Sequence, residues 1–320
     1  MSSARAELAG SGFRVERIFH PTARVPDLAE AEAFFASVFG RHSTSLTTII
    51  PSRPEYPTEY STFTVIRDVL FDSIDPKLHT VAGVQRYPTV RSPLLSGFGW
   101  YVDGMEALYA ALRRNGIRAM NLRNEIVEGD EPPQSPGGGV VTFFLVAEDA
   151  GLQYQFMREG TPFPLDPRLQ PGWTLPPPEA DDPLGIECSS HHTFLTDRPE
   201  RVLRLVVDVL GGRVVHEGRN ELIGADSTFV ALTDALLEYA VPDAGTPARA
   251  KLDAGNGLDA YHAISWKVAD LTRVERHLAA QGVGIGARSD TAILTDPKTS
   301  LDIAWGFSTS FQPNDPRQAR

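Results

Sequence analysis

The chain has 320 residues, of which 42% are hydrophobic and 22% charged, and its formal net charge is −11. This composition is typical of a soluble globular protein, and the acidic balance disfavours nucleic-acid partners, because phosphate binding needs clustered Lys and Arg. No apolar run reaches the roughly 18 residues of a membrane span, and the N-terminus lacks the apolar core of a signal peptide. A single cysteine, Cys188, excludes an intramolecular disulfide. We therefore expect a cytoplasmic enzyme or small-molecule binder.

In chain order, the pattern is a strand, an amphipathic helix and further strands, repeated four times. It begins with RIFHPTARVPD and the helix LAEAEAFFASVFG, and recurs with GFGWYVD and GMEALYAALRRNG. It returns as HHTFLTD with RPERVLRLVVDVLGG, and as HAISWKVAD with LTRVERHLAAQG. Residues 161–183 are rich in proline, which blocks helix and sheet pairing and predicts a linker. We expect two units in residues 13–160 and two in residues 184–308.

The two halves also match each other position by position. The matched pairs are His20 with His191, Asp72 with Glu238, Trp100 with Trp266, and Gln155 with Asp302. The last pair depends on counting six residues from an aspartate, Asp149 in one half and Asp296 in the other. We interpret the four matches as an internal duplication.

The segments HPTARVPDLAEAEAFFASVFG and HHTFLTDRPERVLRLVVDVLGGRVV resemble the opening strand and helix of the vicinal oxygen chelate superfamily. That group contains glyoxalases, bleomycin-resistance proteins and extradiol dioxygenases, and the resemblance extends from Arg14 to Phe307. It implies an α+β fold of four βαβββ modules, with each pair of modules forming one cup-shaped sheet. It also implies a divalent metal (Fe²⁺, Mn²⁺, Zn²⁺ or Ni²⁺) held by His and carboxylate ligands from the first and last strands of paired modules.

In the family pattern, the ligand histidine stands twenty residues before the glycine that ends the helix. Counting back from Gly211 selects His191, and counting back from Gly40 selects His20. Neighbouring side chains of a strand point to opposite faces, so His192 is expected on the helix side. The resemblance thus implies four metal ligands in the second half: His191, His262, Glu238 and Asp302.

For each of the other three residues, the role of metal ligand depends on a further condition. The aligned position falls on Ala263, so His262 faces the cup only if a β-bulge restores its orientation. Glu238 has apolar neighbours in sequence and needs a cation, a proton or hydrogen-bond donors as a partner. Asp302 stands where the family usually has glutamate, and its surroundings lack the terminal motif of extradiol enzymes. Glu238 and Asp302 are also the candidate proton-transfer groups.

The first half offers His20 and Asp72, but its second module supplies only Ser96, Gly97 and Gln155, so we expect a degenerate site there. Three functions remain open for the second half. The first is a metal-dependent isomerase, lyase or epimerase of glyoxalase-like type. The second is an Fe(II) extradiol dioxygenase, and the third is a metal-free binding protein. The expected partner is a small molecule, with a homodimer left open.

Overall fold

The structure is a computed structural model that describes residues 11–135 and 140–319. The strands of the first half are β1 (Arg14–Arg24), β2 (Ser43–Ser45), β3 (Ser61–Ile66), β4 (Val69–Ile74), β5 (Thr80–Val81), β6 (Val84–Gln85), β7 (Leu94–Asp103), β8 (Ala119–Met120), β9 (Thr142–Leu145) and β10 (Tyr154–Arg158). Its helices are α1 (Leu28–Val38), α2 (Met105–Arg114) and α3 (Ala147–Ala150).

The second half repeats this succession. Its strands are β11 (Ile186–Leu195), β12 (Arg213–Asn220), β13 (Ala225–Leu232), β14 (Ala235–Pro242), β15 (Ala260–Val268), β16 (Ile285–Arg288), β17 (Ala292–Thr295) and β18 (Ala304–Ser308). Its helices are α4 (Pro199–Leu203), which continues as a π-helical turn over Arg204–Val209, α5 (Pro247–Asp253) and α6 (Leu271–Ala280). Among the described residues, no helix is long and apolar enough to span a membrane.

Each half folds into one curled sheet of eight strands. The strand orders are β2-β3-β4-β1-β7-β10-β9-β8 and β12-β13-β14-β11-β15-β18-β17-β16. In both sheets the central strand pairs parallel with the last strand of its own module and antiparallel with the first strand of the next module. This arrangement confirms the predicted α+β fold of paired modules that form two cup-shaped sheets.

The helix that follows each central strand ends at the glycine that the sequence indicated. Gly40 and Gly211 have φ angles of +64° and +78°. Glycine adopts this left-handed conformation without a steric penalty, so it ends a helix at a defined residue. At the other end of α1, the Asp27 carboxylate accepts a hydrogen bond from the Ala29 amide at 2.8 Å.

The convex faces of the two sheets share one apolar core with the helices. The Phe98 ring, from the first half, lies 4.8 Å from the His192 ring and 5.6 Å from the Phe194 ring. From α1, the Phe35 ring lies 5.9 Å from the Trp305 ring of the second sheet. The domain boundaries therefore remain a prediction, because apolar packing is continuous across the two halves.

Both central strands contain a β-bulge that is stabilised from the other half. The pairing register shifts after Ile18 in β1 and after Ser189 in β11. The Ile18 amide donates to Asp234 Oδ1 at 2.9 Å, and the Ser189 amide donates to Asp68 Oδ1 at 2.7 Å. The two aspartates occupy equivalent turns, between β3 and β4 and between β13 and β14. Each half therefore satisfies backbone donors that a bulge in the other half takes out of its ladder.

We predict that Asp68→Ala lowers the free energy of unfolding by about 1–3 kcal/mol, because it leaves a Ser189 donor without its acceptor. Asp234→Ala should have an effect of the same order through Ile18. The measurement is urea unfolding followed by tryptophan fluorescence. Asp290→Ala, at an exposed loop position, is the matched control and should change the midpoint little. Equal stability of all three variants would contradict this role of the turns.

Candidate active site

The second cup is the concave face of the second sheet around His191, His262 and Ser265. These three side chains line one pocket, and Thr193 and Asn220 line it with them. The other lining residues are largely apolar: Leu222, Ile223, Ala263, Ala292, Ile293, Leu294, Gly306 and Phe307, with Ser308 and Gln312. A few polar groups surrounded by apolar walls are typical of a small-molecule site.

The two adjacent histidines face opposite sides of β11. His191 lines the pocket, and its Nδ1 lies 3.0 Å from Ser190 Oγ while its Nε2 lies 3.4 Å from Glu238 Oε2. His192 packs in the core, where its Nδ1 lies 2.5 Å from the Tyr261 hydroxyl. Burial lowers the pKa of His192 to about 3, so this ring is neutral. His191 is therefore the histidine of this pair that is available to the pocket.

Glu238 lies beneath the pocket floor with no exposed surface. Its Oε1 accepts hydrogen bonds from Asn220 Nδ2 and Ser227 Oγ, each at 2.7 Å, and its Oε2 accepts one from Thr193 Oγ1 at 2.6 Å. Burial by itself raises the pKa of this carboxyl, but His191, Thr193 and Asn220 together outweigh burial and hold the pKa at about 2. Glu238 is thus a fully hydrogen-bonded buried anion.

His262 faces the pocket because a second bulge interrupts the pairing of β15. A bulge was the condition that the sequence set for this orientation. Thr193 pairs with Ala263 and Phe194 pairs with Tyr261, which leaves His262 without a partner in the ladder. Its side chain lines the pocket, and its Nδ1 is buried without a partner in the described part of the chain. Burial, followed by the positive charge of Lys251, lowers the pKa of His262 to about 3, so the ring is neutral.

Lys251, on α5, is a neighbour of the site that sequence analysis did not identify. Its Nζ lies 3.5 Å from the His262 carbonyl oxygen, and burial lowers its pKa to about 8. Only the packing of α5 beside β15 shows this proximity, since eleven residues separate the lysine from the histidine. Asn220, Ser227 and Ser265 were missed for the same reason: their proximity comes from strand pairing.

Asp302 does not lie in the last strand, which corrects the sequence alignment. It occupies an exposed turn before β18 with φ of +51°, and it does not line the pocket. The registers show the true equivalence: Gln155 pairs with Gly99 in the first sheet, and Gly306 pairs with Ser265 in the second. The position that matches Gln155 is therefore Gly306. Counting from an aspartate failed because the turns before β10 and β18 differ in length.

Gly306 leaves the last strand of the second cup without a side chain at this position. A Cβ on Gly306 would come within 2.1 Å of Ser265 Oγ, so the Ser265 hydroxyl occupies the space. In the first cup the arrangement is reversed, with glycine at position 99 and the longer side chain at Gln155. The second cup consequently offers the Ser265 hydroxyl and no side chain from the last strand at this position.

An Asp-Pro-Arg turn after each half binds the bulged segment of the central strand. Arg168 Nη2 donates to the Phe19 carbonyl at 2.7 Å, and Arg317 donates to the carbonyls of Ser189, at 3.0 Å, and Ser190. Each arginine pairs with the aspartate two residues before it. The repeated letters DPR, at residues 166–168 and 315–317, were the sequence signal that could have identified this support.

The donor set suits a divalent cation in chemical type, since it combines two imidazoles with a carboxylate. The orphaned Nδ1 of His262 also shows that this imidazole has unused bonding capacity. Within residues 11–135 and 140–319, however, no group of three or more His, Cys, Asp or Glu side chains is arranged to hold a metal ion. Binding a cation through all three residues would require Glu238 to exchange one of its hydrogen bonds.

The first cup, the concave face around His20, Asp72, Phe144 and Gln155, has a different character. His20 Nδ1 lies 2.9 Å from Thr22 Oγ1 and 3.9 Å from Asp72 Oδ2. Burial lowers the pKa of His20 to about 3 and raises that of Asp72 to about 7. Phe163, from the linker, packs its ring 5.0 Å from that of Phe63 and covers part of this cup.

We predict that Gly306→Ala destabilises the protein by about 1–3 kcal/mol, because the new methyl group overlaps Ser265 Oγ. The double variant Gly306→Ala/Ser265→Gly should recover most of the loss, and Ser265→Gly alone is the matched control. Thermal unfolding of the four proteins measures the coupling. Additive effects of the two changes would show that Ser265 does not fill this space.

No family model and no curated protein sequence matches this chain. Solved structures similar to it include the Mn(II)-bound glyoxalase from Novosphingobium aromaticivorans (TM-score 0.57, 13% identity, 95% of this chain and 85% of that one). They also include the 2,3-dioxygenase LapB from Pseudomonas sp. KL28 (0.58, 14%, 95% and 95%). A third is a mutant of 4-hydroxymandelate synthase from Streptomyces coelicolor (0.61, 13%, 96% and 97%). The shared architecture confirms the resemblance at the level of structure: this chain has the vicinal oxygen chelate fold.

Proposed function

We propose that the second cup is the active site of a metal-dependent enzyme that acts on a small oxygen-rich molecule by proton transfer, as an isomerase, lyase or epimerase. The observation that carries the proposal is the presence of His191 and His262 in one pocket with the Glu238 carboxylate beneath its floor, where a bulge in β15 brings His262 to the pocket side. Bulges that re-aim a side chain towards a site cost ladder hydrogen bonds, and they are over-represented next to active sites.

His191 and His262 would hold the cation, with Glu238 as the nearby carboxylate. When bound, a divalent cation polarises a substrate oxygen and stabilises the negative charge that develops when a neighbouring C–H bond loses its proton. The Ser265 hydroxyl and the Asn220 amide are positioned to orient substrate oxygens at the pocket surface. The apolar side chains Ile223, Leu294 and Phe307 of the pocket wall limit the access of water.

Glu238 has two tasks in this proposal. As an anion beside Nε2 of His191, it fixes the orientation of that ring. It accepts a proton only if a substrate group displaces one of its donors, because Asn220, Ser227 and Thr193 already bind its oxygens. Asn220 and Thr193 are the donors placed for displacement, since both line the pocket and Ser227 does not. Asp302 has no part in the reaction, because it lies outside this pocket.

Two observations bear on the two alternative functions, an extradiol dioxygenase and a metal-free binding protein. An extradiol dioxygenase with a triad of His191, His262 and Asp302 is disfavoured, because Asp302 is on an exposed turn and Gly306 has no side chain to replace it. A metal-free binding protein is the second candidate function. It is favoured by the complete hydrogen bonding of Glu238, which gives that carboxylate partners without any cation.

We predict that protein purified without chelator binds one Mn²⁺ or Zn²⁺ in equilibrium dialysis, and that His191→Ala and His262→Ala each weaken this affinity at least tenfold. Each substitution removes an imidazole ligand. His42→Ala, which removes an exposed histidine, is the matched control and should keep the affinity of the unsubstituted protein. Full metal content in both pocket variants, or none in the unsubstituted protein, would favour the metal-free binding protein.

We also predict that the protein, loaded anaerobically with Fe(II), consumes no oxygen with a panel of catechols. The Mn²⁺-loaded protein should instead catalyse deuterium incorporation from D2O at carbon next to a carbonyl in 2-hydroxy and 2-oxo compounds, measured by NMR. Asn220→Ala and His191→Ala should change that exchange rate, with His42→Ala as the control. Rapid oxygen uptake with any catechol would replace the proton-transfer assignment with an oxygenase.

A further inference from the structure

A buried arginine in the first cup has no partner for its charge. Arg86 follows β6 in the covering segment (residues 75–93), which lies over the cup, and only 1% of it is exposed. Its Nε, Nη1 and Nη2 atoms are all buried, and none has a hydrogen-bond partner among the described residues. A guanidinium carries five donors and stays protonated in proteins, so its burial without an acceptor is costly.

Two aromatic rings lie close to this guanidinium. Arg86 Cζ lies 4.6 Å from the centroid of the Tyr87 ring and 4.3 Å from that of the Phe144 ring on β9. Rings at these distances stabilise the cation through its faces but accept no hydrogen bonds from its edge. Phe144 pairs with Gln155 in the sheet, so the contact places Arg86 over the cup. The in-plane N–H groups are the part of Arg86 that remains unsatisfied.

A second arginine lies near the same Tyr87 ring. Arg24, at the end of β1, has its Cζ 5.3 Å from the Tyr87 ring centroid, and its Nε is also buried without a partner in the described chain. Two positive groups so close together repel each other, and an anion between them would remove both the repulsion and the unsatisfied donors. His79 adds further capacity for hydrogen bonds to an anion. Its ring stacks on Tyr60 at 3.6 Å, and both of its nitrogens are buried without a partner among the residues that the structure describes.

The carboxylate in the floor of this cup does not serve as that anion. Asp72 Oδ1 accepts from Ser61 Oγ at 2.6 Å, and its Oδ2 is 3.9 Å from His20. Two hydrogen bonds fix the backbone of Arg86. The Arg86 amide donates to the His79 carbonyl at 2.9 Å, and the Arg86 carbonyl accepts from Asn124 Nδ2 at 2.7 Å. The Arg86 side chain, by contrast, lacks acceptors among the described residues. The scaffold therefore presents the guanidinium edge in a defined position.

We propose that the first cup is a binding site for a small oxyanion, a carboxylate or a phosphate group, held between Arg86 and Arg24 beneath the covering segment. This site is in the other half of the chain from the proposed active site and does not depend on its reaction. A planar carboxylate matches the guanidinium edge with two parallel hydrogen bonds, and a phosphate group offers the same pairing with a second negative charge.

The test is a thermal-unfolding titration of the full chain with sodium acetate, with inorganic phosphate and with sodium chloride, at matched ionic strength. A ligand that binds only the folded state raises Tm in a saturable way. We expect saturation with acetate, with phosphate or with both, and no saturable rise with chloride. A response to acetate alone identifies a carboxylate site, and a response to phosphate alone identifies a phosphate site.

Two substitutions separate the site from general salt effects. Arg86→Met removes the guanidinium and keeps the length of the side chain, so it should abolish the saturable rise. In buffer without these anions, it should leave Tm equal to or above that of the unsubstituted protein, because a buried unpaired charge is lost. Arg91→Gln, at an exposed position of the same covering segment, is the charge-matched control and should keep the response.

Three results would overturn the proposal. These are the absence of a saturable response to either oxyanion, an unchanged response in Arg86→Met, and a large loss of Tm in Arg86→Met without added anions. The last result would mean that the guanidinium is a structural group with partners of its own.

Discussion

The geometry of the second cup depends on the backbone of β11 at Ser189, where the amide donates its hydrogen bond outside its own sheet. A bulge at Ser190 interrupts the pairing of β11 with β15 next to His191, and the Ser189 amide has its acceptor outside this sheet. Asp68 of the first half accepts that amide and the Ser189 hydroxyl, while Arg317 binds the Ser189 and Ser190 carbonyls. Buried backbone groups must be paired, so these contacts allow the bulge to persist. Tertiary contacts thus support the backbone beside this histidine.

The two cups have the same framework and opposite electrostatic character. In the second, Glu238 is a buried anion whose donors are all in place, and its pKa is correspondingly low. In the first, the equivalent Asp72 has fewer donors and a raised pKa, and the unsatisfied charge is the guanidinium of Arg86. One fold therefore supports a fully hydrogen-bonded anion in one cup and, among the described residues, leaves a cation without an acceptor in the other. This difference follows from a few side chains and not from the architecture.

The sequence predicted what is set by local repetition. The helix-ending glycines, the choice of His191 over His192 and the match of Asp72 with Glu238 follow from fixed spacing within one module, and the structure places these residues accordingly. Asp302 failed because a turn of different length separates it from its reference aspartate. Asn220 and Ser227 reach Glu238 through strand pairing. The spacing of residues along the sequence therefore does not indicate that they are its partners. The metal-ligand roles remain predictions.

The reciprocal contacts of Asp68 and Asp234 also bear on how the two halves can change over time. Each half contributes an acceptor that supports the bulge beside the histidine of the other half. Sequence drift in the first half is therefore constrained by the chemistry of the second, even where no residue of the first half touches the pocket. A substitution at Asp68 is therefore expected to disturb the second cup although Asp68 lies in the other sheet. The two halves thus depend on each other as the subunits of an obligate heterodimer do, although they belong to one polypeptide.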